Sequence, residues 1–166
     1  MMKSFYLLMC VLLSFDSYAT PDANVVVQET NQAGSVVCEQ TIRAYPRLRD
    51  HGPINEYGAL FSQDAVLEIT KLGISLQGRG QITNRLTTAL ETTKTHHLVS
   101  KVHLEPVPEN RYKAQSRFTL NLKKLSEPQS SSITITGQYE DLLQFDGQHC
   151  VIVSRQVNID TQIVVI

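Results

Sequence analysis

The sequence predicts an α+β fold in which helices pack on one side of a curved, mostly antiparallel sheet. Helical and strand-like patterns follow one another in the order helix, helix, strand, strand, helix and then four long strands. In the last of these strands apolar side chains alternate with polar ones, as expected for a sheet with one buried face. A sheet wrapped over one long helix would form a cone whose mouth can admit a small ligand.

Three helices are predicted before the four long strands. The first runs from Ser35 to about Asp50, because apolar side chains recur there at helical spacing. Pro46 lies inside this pattern and should kink or shorten the helix, and Gly52-Pro53 should stop it. The other two helices cover about 53–61 and 80–92. We therefore expect the helices to gather on one side of the sheet.

Six strands are predicted from the alternation of apolar and polar side chains, at about 65–70, 74–78, 95–107, 111–125, 131–145 and 148–160. Asp146-Gly147 lies between the last two and predicts a tight hairpin, because both residue types tolerate turn conformations. In the final strand Arg155 shares one face with Val151, Val153, Val157 and Ile159. An arginine in an apolar row needs an anionic partner or a wet cavity. Arg155 therefore indicates a polar group set into an apolar wall.

Four segments are expected along the chain. Met1–Ala19 has the charged start, apolar middle and small-residue end of a secretory signal peptide, which implies a periplasmic or secreted protein. Residues 20–34 are expected to form a flexible arm, 35–160 the folded domain and 161–166 a C-terminal tail. The tail would be either an extra edge strand or a contact surface.

Charge and motifs narrow the classes of partner. The formal net charge is −1 and the charged residues are scattered, which argues against a nucleic-acid surface or a polybasic membrane patch. After the signal peptide, no apolar run is long enough for a transmembrane helix. The sequence contains neither HExxH nor CxxC, and His97 and His103 would stand about 20 Å apart along a strand, so no metal site is expected.

Two cysteines remain after the predicted cleavage, Cys38 and Cys150. In an oxidising compartment they could form a disulfide, and the long loop that it closes would make the bond worth about 4–5 kcal/mol. Alternatively both are buried free thiols, since cysteine also behaves as a small apolar residue. The residues alone leave both alternatives open.

Four stretches carry a resemblance to a known family. They are AYPRLRDHG with YGALFSQDAVLE, LQGRGQI, THHLVSKVHLE and GQYEDLLQFDGQHCVIVSRQVNID. In their order and spacing, over about 35–160, they resemble the SnoaL-like branch of the nuclear transport factor 2-like superfamily. The resemblance implies a cone with three N-terminal helices packed on the sheet. It also implies a small apolar or aromatic ligand and no cofactor or metal.

Members of this superfamily include dehydratases and isomerases that act by proton abstraction, a chemistry that needs a base poised near neutral pH and a donor for the developing oxyanion. Histidine has a suitable pKa for the base. The resemblance implies a catalytic set, Asp50, His97 and Tyr45, and a substrate-binding role for Arg155. His96 and Tyr57 are further candidates for substrate binding, His96 because strand alternation favours it as a cavity residue.

Two geometric questions concern these residues. Strand alternation places His96 with the apolar side chains of its strand, whereas the resemblance favours His97 as the residue that faces the cavity; a β-bulge would reconcile the two. On a straight helix Tyr45 and Asp50 lie roughly 140° apart. They converge only if Pro46 bends the helix or Asp50 lies past its end.

Two functions are consistent with the sequence. The first is a metal-free lyase or isomerase acting on a small apolar molecule. The second is a non-catalytic ligand-binding or dimerisation module of the same fold, with a homodimer formed through the open sheet. An open pocket in which an aspartate, a histidine and an arginine converge would favour the enzyme.

Overall fold

The computed structural model of the protein describes residues 23–126 and 131–165, so the predicted signal peptide, Met1–Ala19, lies outside the described residues. Three helices and six strands follow one another in the expected order. They are α1 (Ala23–His51), α2 (Ile54–Ala59), β1 (Phe61–Ile69), β2 (Ile74–Gln77), α3 (Gly78–Thr92), β3 (Thr93–Val107), β4 (Arg111–Lys124), β5 (Ser132–Phe145) and β6 (Cys150–Val165). The helices pack on a curved, unclosed sheet, which confirms the predicted α+β cone.

The six strands form one mixed sheet in the order β2-β1-β6-β5-β4-β3. The four strands from β3 to β6 form an antiparallel meander, and β2 pairs antiparallel with β1. The pairing of β1 with β6 is the one parallel contact among the described strands. This arrangement brings the short N-terminal strands to one side of β6 and the histidine-bearing β3 to the opposite edge of the sheet.

Helix α1 lies across the inner face of the sheet and supplies much of the core. Its buried side chains recur every three or four residues, which is the spacing of one helix face: Cys38, Thr41, Ile42, Tyr45 and Leu48. The Thr41 hydroxyl donates a hydrogen bond to the carbonyl oxygen of Cys150 at 2.8 Å. Cys38 and Cys150 form a disulfide. The middle of α1 is therefore fixed to the start of β6 by both a covalent and a polar contact.

The first helix begins earlier than expected. The prediction started it at Ser35 and made 20–34 a flexible arm, whereas α1 already begins at Ala23 and runs through Gly34 without a break. One glycine inside a helix costs only about 1 kcal/mol, which neighbouring turns can offset. Gly34 is also where the helix passes Tyr112 and Phe145, and a Cβ at this position would collide with the Tyr112 ring. The glycine therefore permits close packing and does not end the helix.

The C-terminal segment also differs from the expectation. Residues 161–165 continue β6 and stay paired with β5 up to Val165, opposite Ser132, so they form no separate edge strand. The hairpin between β5 and β6 has a four-residue connection, Asp146–His149, with Gly147 at a φ of 101°. The Asp146 carboxylate accepts hydrogen bonds from the backbone N–H groups of Gln148 and His149 at 2.8 and 2.7 Å. These bonds stabilise the turn.

Two of the register shifts in the sheet, one in β3 and one early in β6, decide the faces of the side chains discussed below. In β3 the register shifts between Ser100 and His103, and Lys101 has a φ of 50°. In β6 the register shifts between Ile152 and Ser154. A bulge inserts one extra residue, so the residues on its two sides reach the same face with opposite parity.

The β6 bulge corrects one expectation from the sequence. Ile152 and Arg155 are both buried on the inner face, although they are three residues apart. Strict alternation predicts that Val151 and Val153 share the face of Arg155. Because of the bulge, they do not. The part of the alternation that follows the bulge holds, because Val157 is buried on the same face as Arg155.

Candidate active site

A cavity of about 310 Å³ lies between the helices and the inner face of the sheet. Its wall is largely apolar and includes Leu67, Leu86, Leu120, Ile135, Val157 and Ile159. Tyr45, Arg49, Tyr57, Arg85, His97 and Tyr139 are the charged, histidine and tyrosine side chains in the wall. Leu72 and Arg85 line the cavity and are also exposed, so the mouth lies on their side.

Asp50 and His97 form a buried pair at the wall of this cavity. The His97 Nδ1 lies 2.6 Å from one carboxylate oxygen of Asp50, and the His97 backbone N–H donates to the other oxygen at 2.5 Å. The Thr95 hydroxyl donates to the same oxygen as Nδ1, at 2.7 Å. With Nδ1–H donated to the carboxylate, the imidazole has its lone pair on Nε2. The pair therefore holds the ring in one orientation and one tautomer.

Burial and hydrogen bonding set the protonation states of this pair. Burial alone would raise the pKa of Asp50, but the hydrogen bonds and charge of His97 outweigh it and lower that pKa to about 2. Burial lowers the pKa of His97 below 6.5, and the nearby charges of Arg49 and Arg155 act in the same direction, while Asp50 opposes them. At neutral pH the pair is therefore an ionised carboxylate and a neutral imidazole, which is the form of a proton acceptor.

Tyr45 contacts the ring of His97, and two further tyrosine rings pack on Tyr45. The Tyr45 ring centroid lies 6.1 Å from that of His97 and 5.7 Å from those of Tyr57 and Tyr139. Burial, together with the neighbouring Tyr45, raises the pKa of Tyr57, and burial also raises the pKa of Tyr139. These phenols keep their protons at neutral pH and remain hydrogen-bond donors. Tyr45 and Asp50 both lie on α1 and both contact His97. Tyr45 does so through its ring, and Asp50 does so by a hydrogen bond.

Arg155 lies behind the site and does not line the cavity. Its Nε and Nη2 atoms donate to the two carboxylate oxygens of Asp141 at 2.7 and 2.8 Å, directly across the β5–β6 pairing. Its guanidinium carbon also lies 4.0 Å from the centroid of the Tyr45 ring and 4.3 Å from that of Tyr139. Burial by itself would lower the pKa of Arg155. The Asp141 carboxylate outweighs this effect and raises that pKa above its usual value, so the arginine stays charged. In this geometry Arg155 positions the two tyrosines, and the predicted role in holding substrate is not supported by any contact with the cavity.

His96 lies on the outer face of β3, exposed to solvent and outside the cavity wall. The bulge at Lys101 explains the difference from strict alternation. Thr95, His97 and Val99 face inward before it, and Val102 and Leu104 face inward after it. The bulge lies in the middle of the strand.

Residues 37–155 of the chain match the family model of the SnoaL-like domain, which is more than half of the chain. The chain belongs to the SnoaL-like domain family. The resemblance to the nuclear transport factor 2-like superfamily is thereby confirmed. None of the curated proteins matches this SnoaL-like chain.

Several solved structures share the SnoaL-like fold. One is a protein provisionally named scytalone dehydratase, from Novosphingobium aromaticivorans DSM 12444. It has 20% sequence identity and a TM-score of 0.72, with 82% of this chain and 90% of that chain covered. A hexachlorocyclohexane dehydrochlorinase, LinA type 2, has 12% identity and a TM-score of 0.74, with 84% and 93% covered. LinA type 3 from Novosphingobium barchaimii LL02 has 11% identity and a TM-score of 0.72, with 83% and 94% covered. At these identities the likeness shows the fold alone.

Three residues important to this site were not singled out from the sequence of the SnoaL-like domain. Thr95 precedes His97 by two residues and so shares its face, a signal that strand parity could have given. Asp141 lies opposite Arg155 in the β5–β6 pairing and is the partner of that arginine. Arg49 lines the cavity, although its sequence neighbours give no sign of this. Three-dimensional packing alone brings it there.

Within residues 23–126 and 131–165, no three histidine, cysteine, aspartate or glutamate side chains are placed to hold a metal ion together. No helix in the same ranges has both the length and the apolar character needed to cross a bilayer. Thr92 and Thr93 add hydroxyl groups to the cavity wall.

Proposed function

We propose that this SnoaL-like protein is periplasmic or secreted, binds a small, largely apolar molecule and acts on it as a metal-free lyase or isomerase. The observation that carries the proposal is the buried Asp50–His97 pair at the wall of an apolar cavity. A carboxylate that orients a neutral imidazole is the arrangement expected for a general base. The names of the structural relatives, a dehydratase and dehydrochlorinases, agree with elimination chemistry.

In the proposed step, Nε2 of His97 takes a proton from a carbon atom next to an electron-withdrawing group of the substrate. The electron pair of the broken C–H bond then forms a double bond. In an elimination the leaving group departs with its own electron pair, and in an isomerisation the proton returns to a different carbon. Tyr45 or Tyr57 donates a hydrogen bond to the oxygen or leaving group on which negative charge develops. Asp50 stabilises the imidazolium that forms.

The disulfide supports the proposed compartment. Cys38 and Cys150 are both buried and joined, and such bonds form and persist in oxidising environments. The signal-peptide pattern of Met1–Ala19 leads to the same proposal. N-terminal sequencing of the protein recovered from periplasm or culture medium would test the proposed compartment. The expected N-terminal residue is Thr20.

The catalytic proposal is tested by exchange of carbon-bound hydrogen for deuterium. Small cyclic ketones are incubated with the protein in D₂O, and the loss of their α-hydrogen signals is followed by NMR. We expect exchange by the wild type and a loss of at least about 100-fold in His97→Gln and in Asp50→Asn. His96→Gln is the matched control, because this histidine is exposed on the other face of the strand. Equal rates in all four proteins would contradict the proposal.

The alternative is a non-catalytic ligand-binding or dimerisation module. Large apolar side chains are exposed on the strands of the sheet, among them Leu98, Ile163 and Val164. Such side chains are suited to a contact between two copies of the chain. Sedimentation equilibrium of the wild type and of Ile163→Lys would test a homodimer. No exchange of any ketone together with a dimer that this substitution dissociates would favour the alternative.

A further inference from the structure

Arg49 has an unusual position in the cavity. It lines the wall close to the end of α1, one residue before Asp50, and its side chain is only partly exposed. Its Nη1 is buried and has no hydrogen-bond partner in residues 23–126 and 131–165. A buried guanidinium N–H without an acceptor is costly, so its position calls for an acceptor that the chain itself does not provide.

The charge of the wall has one sign. Arg49 and Arg85 line the cavity, and no aspartate or glutamate among the described residues does so. Two carboxylates of the site and its surroundings are already occupied: Asp50 accepts hydrogen bonds from His97 and Thr95. Asp141, behind the site, is bound by Arg155 on both of its oxygens. The surplus positive charge can therefore be neutralised by a ligand in the cavity.

We propose that the natural ligand carries a carboxylate, which Arg49 binds, on an apolar body that fills the rest of the cavity. This inference names the substrate class of the site described under the proposed function. A planar guanidinium presents two parallel N–H groups that match the two oxygens of a carboxylate. The cavity of about 310 Å³ is at the small end of the range for ligand pockets. The expected ligand is therefore a small cyclic or aromatic carboxylic acid.

The position of Arg49 relative to the base supports this inference. The positive charge of Arg49 lowers the pKa of His97 and opposes the rise in the pKa of Tyr57, so the guanidinium lies near both. A carboxylate held there would fix one end of the ligand beside the imidazole. Arg85, on α3, is exposed at the mouth and would attract the anion as it enters.

The test compares two probes of nearly the same shape, 2-naphthoate and the neutral 2-naphthylmethanol, by titration calorimetry with the purified full-length protein. We expect the wild type to bind the carboxylate at least tenfold more tightly than the alcohol. Arg49→Gln should lose most of this difference and keep its affinity for the alcohol, and Arg49→Lys should show an intermediate effect, because it keeps the charge without the two parallel donors. Arg47→Gln is the matched control, since Arg47 is exposed on the same helix.

The outcomes separate this inference from the catalytic proposal. The inference is supported if His97→Gln binds naphthoate as tightly as the wild type does. This holds whether or not the wild type exchanges ketone hydrogens. Equal affinity of the wild type for both probes, or no binding of either, would overturn it. The same holds if Arg49→Gln is folded by circular dichroism and keeps the full preference for the carboxylate.

Discussion

At the scale of single residues, His97 combines two properties that have opposite effects on its pKa. It is 6% exposed, so its charged form is disfavoured, and it is held by a carboxylate that would otherwise favour that form. Burial wins, and the pKa of His97 falls below 6.5. The imidazole is thus neutral and available as a base, while Asp50 fixes its orientation. A solvent-exposed histidine such as His96 has neither constraint.

The first prediction concerns the dependence of stability on pH. Because the folded-state pKa of His97 is lowered, the unfolded chain binds a proton near pH 6.5 that the folded chain does not bind. The free energy of unfolding should therefore fall as the pH is lowered from 7 to 5. The lowered pKa of Asp50, about 2, adds a further loss between about pH 5 and pH 2, as the carboxylate of the unfolded chain takes up its proton first.

Urea denaturation at a series of pH values measures this effect. His97→Gln should lose the step between pH 7 and 5, whereas His96→Gln should keep it. A step of unchanged size in His97→Gln would show that other groups are responsible for the pH dependence.

At the scale of elements, the β-bulges and the contacts between strands decide which residues form the site. One extra residue at Lys101 allows His97 and Leu104 to face the core from the same strand, although they have opposite parity. The bulge in β6 does the same for Ile152 and Arg155. Without the extra residue, the apolar side chains on one side of each bulge would face solvent and not the core.

The second prediction tests the contact between β5 and β6. Arg155 is 1% exposed and binds Asp141 with two hydrogen bonds, so Arg155→Met would leave a buried carboxylate without its partner. We expect a loss of about 3–5 kcal/mol in the free energy of unfolding. Replacing both residues, with Arg155→Met and Asp141→Leu, should recover most of this loss, because apolar side chains then fill the same space.

Denaturant titration of the single and double variants gives the coupling between the two residues. A double variant that is as unstable as the sum of the two single variants would contradict a structural pair. If Arg155→Met instead keeps its stability and loses ligand binding, Arg155 has the substrate-binding role that the family resemblance implied.

At the scale of the whole molecule, the disulfide connects the helical layer to the sheet. Cys38 lies in the middle of α1 and Cys150 begins β6, and the two are separated by 112 residues in the sequence. The loop so closed contains α2, α3 and strands β1 to β5. The bond therefore restricts nearly the entire unfolded domain.

The third prediction follows from the length of this loop. The double variant Cys38→Ala, Cys150→Ala should lose about 4–5 kcal/mol of unfolding free energy, by the chain-entropy relation for a loop of this size. Urea denaturation of the variant, and of the wild type with and without reductant, measures the loss. Equal stability of oxidised and reduced wild type, together with two free thiols by alkylation and mass spectrometry, would exclude the bond.

Much of the fold followed from local patterns. The order of the elements, the amphipathic face of α1 and the long strands could be predicted, because each depends on a short-range periodicity. The ends of elements were predicted less accurately. Helix α1 begins at Ala23 and not at Ser35, and Gly34 lies inside it, where the missing Cβ leaves room for Tyr112. The parity of side chains along β3 and β6 could not be predicted, because one inserted residue reverses it and leaves little trace in composition.

The sequence by itself determined the α+β class, the family and the residue types available for acid–base chemistry. Only the tertiary structure decided where they lie and which of them meet: His97 with Asp50 and Thr95, Arg155 with Asp141, and Arg49 in the cavity wall. The physical reason is that periodicity is a local property of the chain. The pKa of a buried group and the partner of a buried charge depend instead on neighbours that are distant in sequence.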